Sequence, residues 1–268
     1  MVSLVSVFAT AILPIVAVGG VGYLLGRVRD VETDALNTIV VYVLAPALVF
    51  HSLTTTTLAQ STLARITVAI LLFHVLTVLV AEAAGRLFGV SETALAAIVL
   101  VAAFPNTGNY GVPVSNFAFG ATGRATAVVY LSVQAVLIWT VGVYIASRGT
   151  AENRLDGVRR VFSVPLIYAV AVALVVRALD LVPPVDSTVM STLQLVGDSA
   201  IPVMLLLLGI QLARTNVGST LSAVAGVVGL KMILVPFVGI GVALVVGFSD
   251  PAVARTFVLE GAMPSAVT

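Results

Sequence analysis

The stretch Ala103-Phe-Pro-Asn-Thr-Gly-Asn-Tyr-Gly-Val-Pro-Val114, AFPNTGNYGVPV, decides the fold because it places loop-forming residues inside a long apolar region. It holds two prolines, two glycines, two asparagines and a threonine, and no charged residue lies between Glu92 and Arg124. Proline removes a backbone N–H and fixes φ, whereas glycine can leave the helical region of φ/ψ space at little cost. The stretch therefore predicts an interruption of helical structure.

The composition indicates that this interruption lies in a bilayer. Of the 268 residues, 60% are hydrophobic and 9% are charged, whereas soluble domains carry about 25% charged residues. The mean hydropathy is +1.16. A net charge of +1 without a basic run argues against nucleic acid as a partner, and the lack of cysteine excludes disulfides and thiolate metal sites. We expect an all-α, multi-pass protein of the cell membrane.

Nine apolar segments approach the length of about 20 residues that a spanning helix needs. They are Leu4–Leu25, Leu36–Leu53, Ile66–Gly85, Ala94–Phe104 with Val112–Phe119, Ala125–Ala146, Phe162–Leu181, Val189–Leu212, Leu221–Gly247 and Ala252–Thr268. A hydrophilic linker at residues 147–160 separates a first half, 1–146, from a second half, 161–268. Eight arginines lie in loops on the side of this linker and four on the other side. The positive-inside rule then places the linker in the cytoplasm and the N-terminus outside.

The interruption at 103–114 predicts a binding site. Backbone polar groups at membrane depth must be satisfied, so non-helical backbone is tolerated only beside protein or a water-filled cavity. Helix N-termini favour anions, and exposed carbonyl groups favour cations. Asn106, Thr107 and Asn109 add polar side chains at the break. Two alternatives stay open: a kink satisfied by neighbouring helices, and a loop outside the membrane.

The two halves show weak internal similarity. The segment Leu36–Pro46 parallels Leu193–Pro202 at an offset of 156–157 residues, and Pro105 and Pro264 lie 159 apart. Five helices in each repeat would invert the second copy in the membrane, as in secondary transporters whose substrate sites lie at broken helices.

Four ionisable residues fall inside apolar segments and are candidates for ion or proton coupling: Glu260, Asp198, Lys231 and His74. A charge at the bilayer centre costs about 2.5–3.5 kcal/mol on insertion scales, so such groups face a cavity or a partner. For Lys231, an ion pair with Asp198 and a substrate contact are equal alternatives. His74 is a minor candidate, because a buried histidine is more often structural.

An intramembrane aspartyl protease is a distant alternative. Gly197-Asp198 and Pro46-Ala47-Leu48 match short strings of that class, but they occur in the reverse order, and a second aspartate at membrane depth is missing. No nucleophile elbow, HExxH motif or phosphate-binding loop is present. We therefore expect no enzyme, no catalytic residue and no metal site.

Six stretches, in order along nearly the whole chain, resemble the auxin efflux carrier family of membrane transporters in its prokaryotic branch. They are LPIVAVGGVGYLLGR (13–27), LNTIVVYVLAPALVF (36–50), FPNTGNYGVP (104–113), GDSAIPVMLLLLGIQL (197–212), LKMILVPF (230–237) and LEGAMPSAV (259–267). The interrupted-helix motif and the Gly-Asp-x-x-Ile-Pro stretch are the most specific of these.

The resemblance implies ten helices in two inverted five-helix repeats, related to the sodium/proton antiporter and bile-acid symporter folds. Helices 4 and 9 would be discontinuous and would cross at Pro105 and Pro264. Helices 1, 2, 6 and 7 would form a scaffold domain, and the others a transport domain. Family chains continue for about one and a half helices beyond Thr268, so the resemblance implies that the second repeat, 161–268, is incomplete after the start of helix 9.

The resemblance further implies a secondary transporter of a small organic anion, such as a carboxylate or an auxin-like compound, with elevator-type movement and coupling to protons or sodium. The implied substrate site comprises Pro105, Asn106, Thr107, Asn109, Pro264 and Ser265. Glu260 also resembles the sodium-binding glutamate of the bile-acid symporters, so a sodium-coupled symporter of that type is the alternative. The expected partners are the substrate and the lipid bilayer, with no cofactor, and a homodimer is left open.

Overall fold

The computed structural model describes residues 12–148, 164–215 and 226–265, and these residues form nine helices. The helices are α1 Leu13–Val28, α2 Thr33–Thr55, α3 Gln60–Leu87, α4 Glu92–Ala103, α5 Thr107–Ala146, α6 Pro165–Ala178, α7 Thr188–Arg214, α8 Gly226–Val246 and α9 Pro251–Ala262. No β-strand occurs in the described ranges. The prediction of an all-α protein is confirmed. Parts of the first, sixth, eighth and ninth predicted segments lie outside the described residues.

Five of the helices, α2, α3, α5, α7 and α8, are long and apolar enough to cross a membrane. The remaining four have between 12 and 16 residues. Three of the helices are capped by the side chain of the residue that precedes them, which accepts a hydrogen bond from a backbone N–H of the first turn. These residues are Ser91 for α4, Ser187 for α7 and Asp250 for α9. Such a cap satisfies one of the N–H groups that have no partner within the helix. The inverted relation between the two halves stays a prediction.

Wide π-helical turns precede prolines in three helices. A proline has no N–H to donate to the preceding turn, so that turn can widen without losing a further hydrogen bond. The turns are Val40–Leu44 before Pro46, Thr107–Gly111 before Pro113, and Leu230–Leu234 before Pro236. The third of these turns carries Lys231.

The helix α5 bends sharply at Gly120, whose backbone has φ 59° and ψ −143°. A side chain is strongly disfavoured in this region of φ/ψ space, so glycine is required. The bend falls between the predicted segments Val112–Phe119 and Ala125–Ala146. The sequence therefore predicted the position of the change of direction, although the helix resumes directly after it.

The chain divides into two compact units. The first comprises Met1–Leu58, Gly108–Val128 and Val164–Asn216, and thus contains α1, α2, α6 and α7. The second comprises Ala59–Thr107, Val129–Ser163 and Val217–Thr268, and contains α3, α4, α8 and α9. The helix α5 is divided between the two units, since residues 108–128 belong to the first. The division into a scaffold and a transport domain stays a prediction.

Glycines bring helix backbones together inside the first unit. A Cβ atom at Gly22 or Gly26 of α1 would meet the backbone of α7, at Leu206 and Ile210 respectively. Gly22 and Gly26 are spaced as in the GxxxG motif, which lets membrane helices approach closely. In the same unit, a Cβ at Gly197 would lie 2.8 Å from Leu48 Cα of α2.

The core of the second unit is aromatic. The ring of Phe73 on α3 contacts the rings of His74 at 5.5 Å, Phe257 at 6.0 Å and Tyr130 at 6.3 Å between centroids. Phe73, Tyr130 and Phe257 are fully buried. A Cβ at Gly261 would lie 2.9 Å from the Phe73 ring, so α9 can pack here only with a glycine.

Candidate functional site

Two helices of the second unit end for the same reason. A residue that precedes proline is driven from helical to extended backbone. Phe104, before Pro105, has φ −110° and ψ 90° and ends α4. Met263, before Pro264, has φ −58° and ψ 149° and ends α9.

These two ends are hydrogen-bonded to each other. The N–H of Asn106 donates to the carbonyl oxygen of Pro264 at 2.7 Å, and Pro105 and Ser265 form an isolated antiparallel bridge. The hydroxyl of Ser265 donates to the carbonyl oxygen of Val101, in the last turn of α4, at 2.8 Å. We call residues 104–106 and 263–265 the paired breaks.

Four of the six predicted substrate residues, Pro105, Asn106, Pro264 and Ser265, lie in the paired breaks. Thr107 follows directly and is 1% exposed, and its hydroxyl makes no hydrogen bond within the described residues. Asn109 lies two residues further along, in the wide turn that opens α5, and belongs to the first unit.

The first break is shorter than the sequence indicates. Helical structure resumes at Thr107 rather than at Val112. Pro113 lies in the first α-helical turn after the wide turn Thr107–Gly111. Proline is tolerated near the start of a helix because the N–H that it lacks would have no carbonyl acceptor in a preceding turn. The polar side chains of 107–109 therefore start a helix instead of forming an extended loop.

Gln134 on α5 supports the first break from the side. Its Nε2 donates to the carbonyl oxygen of Pro105 at 2.7 Å, and the residue is buried. This carbonyl oxygen also accepts from the N–H of Thr107 at 2.9 Å, so Gln134 is one of its two donors.

Lys231 lies close to the same helix ends. Its ammonium group donates to the carbonyl oxygen of Ala102 at 2.9 Å and to that of Gly261 at 3.3 Å, and the residue is 2% exposed. No ion pair of Lys231 occurs among the described residues. Its negative partners are therefore backbone carbonyl groups rather than the Asp198 carboxylate that the sequence offered as one alternative.

Glu260 and His74 are both buried in the second unit. Glu260 is 0% exposed and lies four residues before Pro264, and Thr256, one turn earlier on α9, is also fully buried. His74 Nδ1 is 2.8 Å from the carbonyl oxygen of Ile70, which fits a tautomer with the proton on Nδ1. Its Nε2 makes no hydrogen bond within the described residues. The predicted coupling residues of this unit are thus shielded from solvent.

Asp198 belongs to a cluster in the first unit that sequence reasoning missed. Its carboxylate forms an ion pair with Arg124 on α5, and the Arg124 Nε donates to the hydroxyl of Ser52 at 3.2 Å. We call Ser52, Arg124 and Asp198 the arginine cluster. The sequence indicated a loop position for Arg124, because it lies between the predicted segments Val112–Phe119 and Ala125–Ala146.

Two cavities of the first unit share Arg124. The larger measures about 420 Å³ and is also lined by Asn116, Phe117, Asp198 and Pro202. The smaller measures about 190 Å³ and is lined by polar residues that include His51, Thr55 and Thr122. A guanidinium group between two cavities can interact with an anion, but here its charge is balanced by Asp198.

Comparison with known proteins agrees with these features. The model of the membrane transport protein family matches residues 7–157 and 155–268, so the chain belongs to this family. It is the family of the auxin efflux carriers, and the resemblance seen in the sequence is confirmed. An uncharacterized transporter of Methanothermobacter thermautotrophicus strain Delta H is 26% identical over 258 residues, which cover 96% of this chain and 84% of that protein.

The chain is therefore a multi-pass membrane transport protein, with a small-molecule substrate and the lipid bilayer as its partners. The prediction that it is not an enzyme is confirmed by its family. The protease alternative loses its basis, since the matching strings occur in a transport protein and Asp198 forms an ion pair with an arginine.

Proposed function

We propose that the chain is a secondary transporter of small organic anions, such as carboxylates or auxin-like compounds, and that the substrate binds at the paired breaks. The hydrogen bond from Asn106 N–H to the Pro264 carbonyl carries this proposal, because it joins the segments that follow α4 and α9 within one unit. Interrupted helices near the bilayer midplane supply the backbone groups that bind substrates in many transporters.

The start of α5 supports an anionic substrate. The first N–H groups of a helix have no intrahelical acceptor and carry partial positive charge. The helix α5 begins at Thr107, directly after Pro105 and Asn106, so its first amide groups follow the first break without an intervening loop. The side chains of Asn106 and Thr107 add hydrogen-bonding groups for a carboxylate, and Pro264 and Ser265 complete the proposed site.

Coupling is proposed at Glu260, which lies one turn before the second break and is fully buried. A carboxyl group in such a place is costly to ionise unless a cation or a proton accompanies it. His74 and Lys231 in the same unit are further candidates, and Asp198 is a weaker one because Arg124 already balances its charge. A sodium-coupled symporter of the bile-acid type is the alternative, since a carboxylate also suits sodium.

The proposed movement is elevator-type displacement of the domain that carries the paired breaks. The N-terminus is proposed to lie outside the cell membrane and the linker at 147–160 in the cytoplasm. Because the chain contains no cysteine, single cysteines introduced in the linker can test this orientation with an impermeant thiol reagent. Labelling of the linker in intact cells would contradict it.

Uptake of a panel of radiolabelled carboxylates into proteoliposomes tests the function. We expect uptake of at least one carboxylate that depends on a proton or sodium gradient, and an Asn106→Ala variant that is about 10- to 100-fold slower, as for the loss of one hydrogen bond to a charged group. The substitution keeps the backbone bond from residue 106 to Pro264. Asn37→Ala, on an exposed surface of α2, is the matched control.

Two results would count against the proposal. Uptake of none of the carboxylates by the reconstituted protein removes the substrate class. Equal uptake by the Asn106→Ala and Asn37→Ala variants removes the paired breaks as the binding site.

A further inference from the structure

The ammonium group of Lys231 lies at the C-terminal ends of two helices. Ala102 is the penultimate residue of α4 and Gly261 the penultimate residue of α9, and the carbonyl oxygens of both accept hydrogen bonds from Lys231 Nζ. Lys231 is the only lysine of the chain. All three residues belong to the second unit.

Of the last four carbonyl groups in each of these two helices, eight in all, five have an identified donor. The last four carbonyl groups of a helix have no intrahelical donor and must find one elsewhere. In α4, Leu100 O accepts from the N–H of Phe104, and Val101 O accepts from the Ser265 hydroxyl. In α9, Glu260 O accepts from the N–H of Met263. Lys231 takes one further carbonyl from each helix.

The electrostatics of this arrangement require a cation. Each helix C-terminus carries about half a negative charge, and the two ends repel one another when they meet in a medium of low dielectric constant. Lys231 forms no ion pair among the described residues, and its ammonium group is within hydrogen-bonding distance of both ends. The charge of the lysine therefore balances the two helix ends rather than a carboxylate.

Helix C-terminal ends and freed carbonyl groups bind Na⁺ in transporters built from broken helices. We propose that Lys231 is a covalently attached substitute for that ion: its ammonium group occupies the place of a cation between the ends of α4 and α9, so that the protein takes up no sodium there. The inference rests on the proposed function as a secondary transporter. It excludes sodium as a coupling ion at the place between the ends of α4 and α9. The wide turn Leu230–Leu234 is the element that carries the lysine.

Thermal unfolding of the purified full chain in detergent tests the proposal without a transport assay. The wild-type protein is expected to melt at the same temperature in sodium chloride and in choline chloride of equal concentration. Lys231→Ala removes the charge and the side chain, and is expected to melt about 5–10 °C lower in choline, as for the loss of two hydrogen bonds from a charged group.

Sodium is expected to restore part of this loss in Lys231→Ala, because an ion that binds only the folded state raises its stability. Lys231→Met keeps the length of the side chain without its charge, and is expected to show the loss but a smaller sodium response. Arg65→Met is the matched control: it removes a cation that donates to the carbonyl of Gly247 after the end of α8, at an exposed position, at 3.2 Å. We expect no sodium response in this control.

A sodium response of Lys231→Ala no larger than that of the wild type would overturn the inference, and so would a Lys231→Ala variant as stable as the wild type in choline. If Lys231→Ala does not fold, the sodium titration of the wild type and Lys231→Met still decides. A failure to transport any carboxylate would remove the proposed substrate class and leave these melting results unaffected, so the two proposals fail separately.

Discussion

The contact between α1 and α7 offers a test in which alanine substitutions at two neighbouring glycines are expected to change the stability of the protein in opposite directions. Both Gly20 and Gly22 lie inside α1. A Cβ atom at Gly20 has no neighbouring atom within 4 Å, whereas one at Gly22 would lie 2.9 Å from the Cα atom of Leu206 and close to its carbonyl group. Because these atoms are backbone, they cannot move aside as a flexible side chain can.

The size of the effect follows from two opposing terms. Glycine to alanine inside a helix stabilises by about 1 kcal/mol through propensity, and this gain is common to both positions. Overpacking costs about 1–3 kcal/mol and applies only at Gly22. We therefore expect Gly20→Ala to be slightly more stable than the wild type, and Gly22→Ala to be about 1–3 kcal/mol less stable than Gly20→Ala.

Melting of the purified variants in one detergent, followed by intrinsic fluorescence, measures this difference. A gap of about 2–12 °C is expected for a chain of this size. The comparison uses the same helix, the same substitution and the same detergent, so that only the contact with α7 differs. If Gly22→Ala melts at or above Gly20→Ala, the two backbones are not as close as described.

Further predictions concern the polar contacts. Asp198→Asn is expected to destabilise by about 1 kcal/mol, because its partner Arg124 is mostly buried whereas Asp198 itself is 44% exposed; an unchanged melting temperature would contradict this. Ser265→Ala is expected to cost about 1 kcal/mol of stability through the loss of its hydrogen bond to the Val101 carbonyl, and to slow carboxylate uptake. An unchanged melting temperature together with an unchanged uptake rate would show that the Ser265 side chain has neither role. Gln134→Leu removes one of the two donors to the Pro105 carbonyl group, the other being the N–H of Thr107, and is expected to cost about 0.5–1.5 kcal/mol, measured as the melting temperature.

Much of the fold could be predicted because it depends on local chemistry. Apolar length predicted the spanning helices, and Pro105 predicted that the fourth segment breaks after Phe104, next to the end of α4. The bend at Gly120 falls in the gap that the sequence left between the predicted segments Val112–Phe119 and Ala125–Ala146. These signals act within one or two turns of the chain.

The partners of the polar residues could not be predicted in the same way. Arg124 and Asp198 are 74 residues apart, and nothing in either neighbourhood indicates the other. The partners of Lys231 are carbonyl groups at residues 102 and 261, and every residue has a carbonyl group. Side-chain types therefore suggested a lysine–aspartate pair, whereas the structure pairs the lysine with helix ends, which have no signature in the sequence.

The resumption of helix at Thr107 illustrates a third limit. Gly108, Gly111 and Pro113 all favour a loop when they are read one at a time. The structure instead forms a wide turn over Thr107–Gly111, shortly before Pro113. Because this proline has no N–H to donate, the preceding turn can widen without losing a further hydrogen bond. Composition alone does not distinguish these outcomes, because both satisfy the same local rules.

Because the single lysine is buried, its chemical modification can report a conformational change of the protein. Amine-reactive reagents modify only neutral, accessible amines, and Lys231 carries the one side-chain amine of the sequence, at 2% exposure. Each modification of Lys231 must then follow a separation of the ammonium group from the ends of α4 and α9. Mass spectrometry of the peptide that contains Lys231 would give the rate of modification, with and without a candidate substrate. This rate measures how often the ammonium group separates from the two helix ends in the wild-type chain.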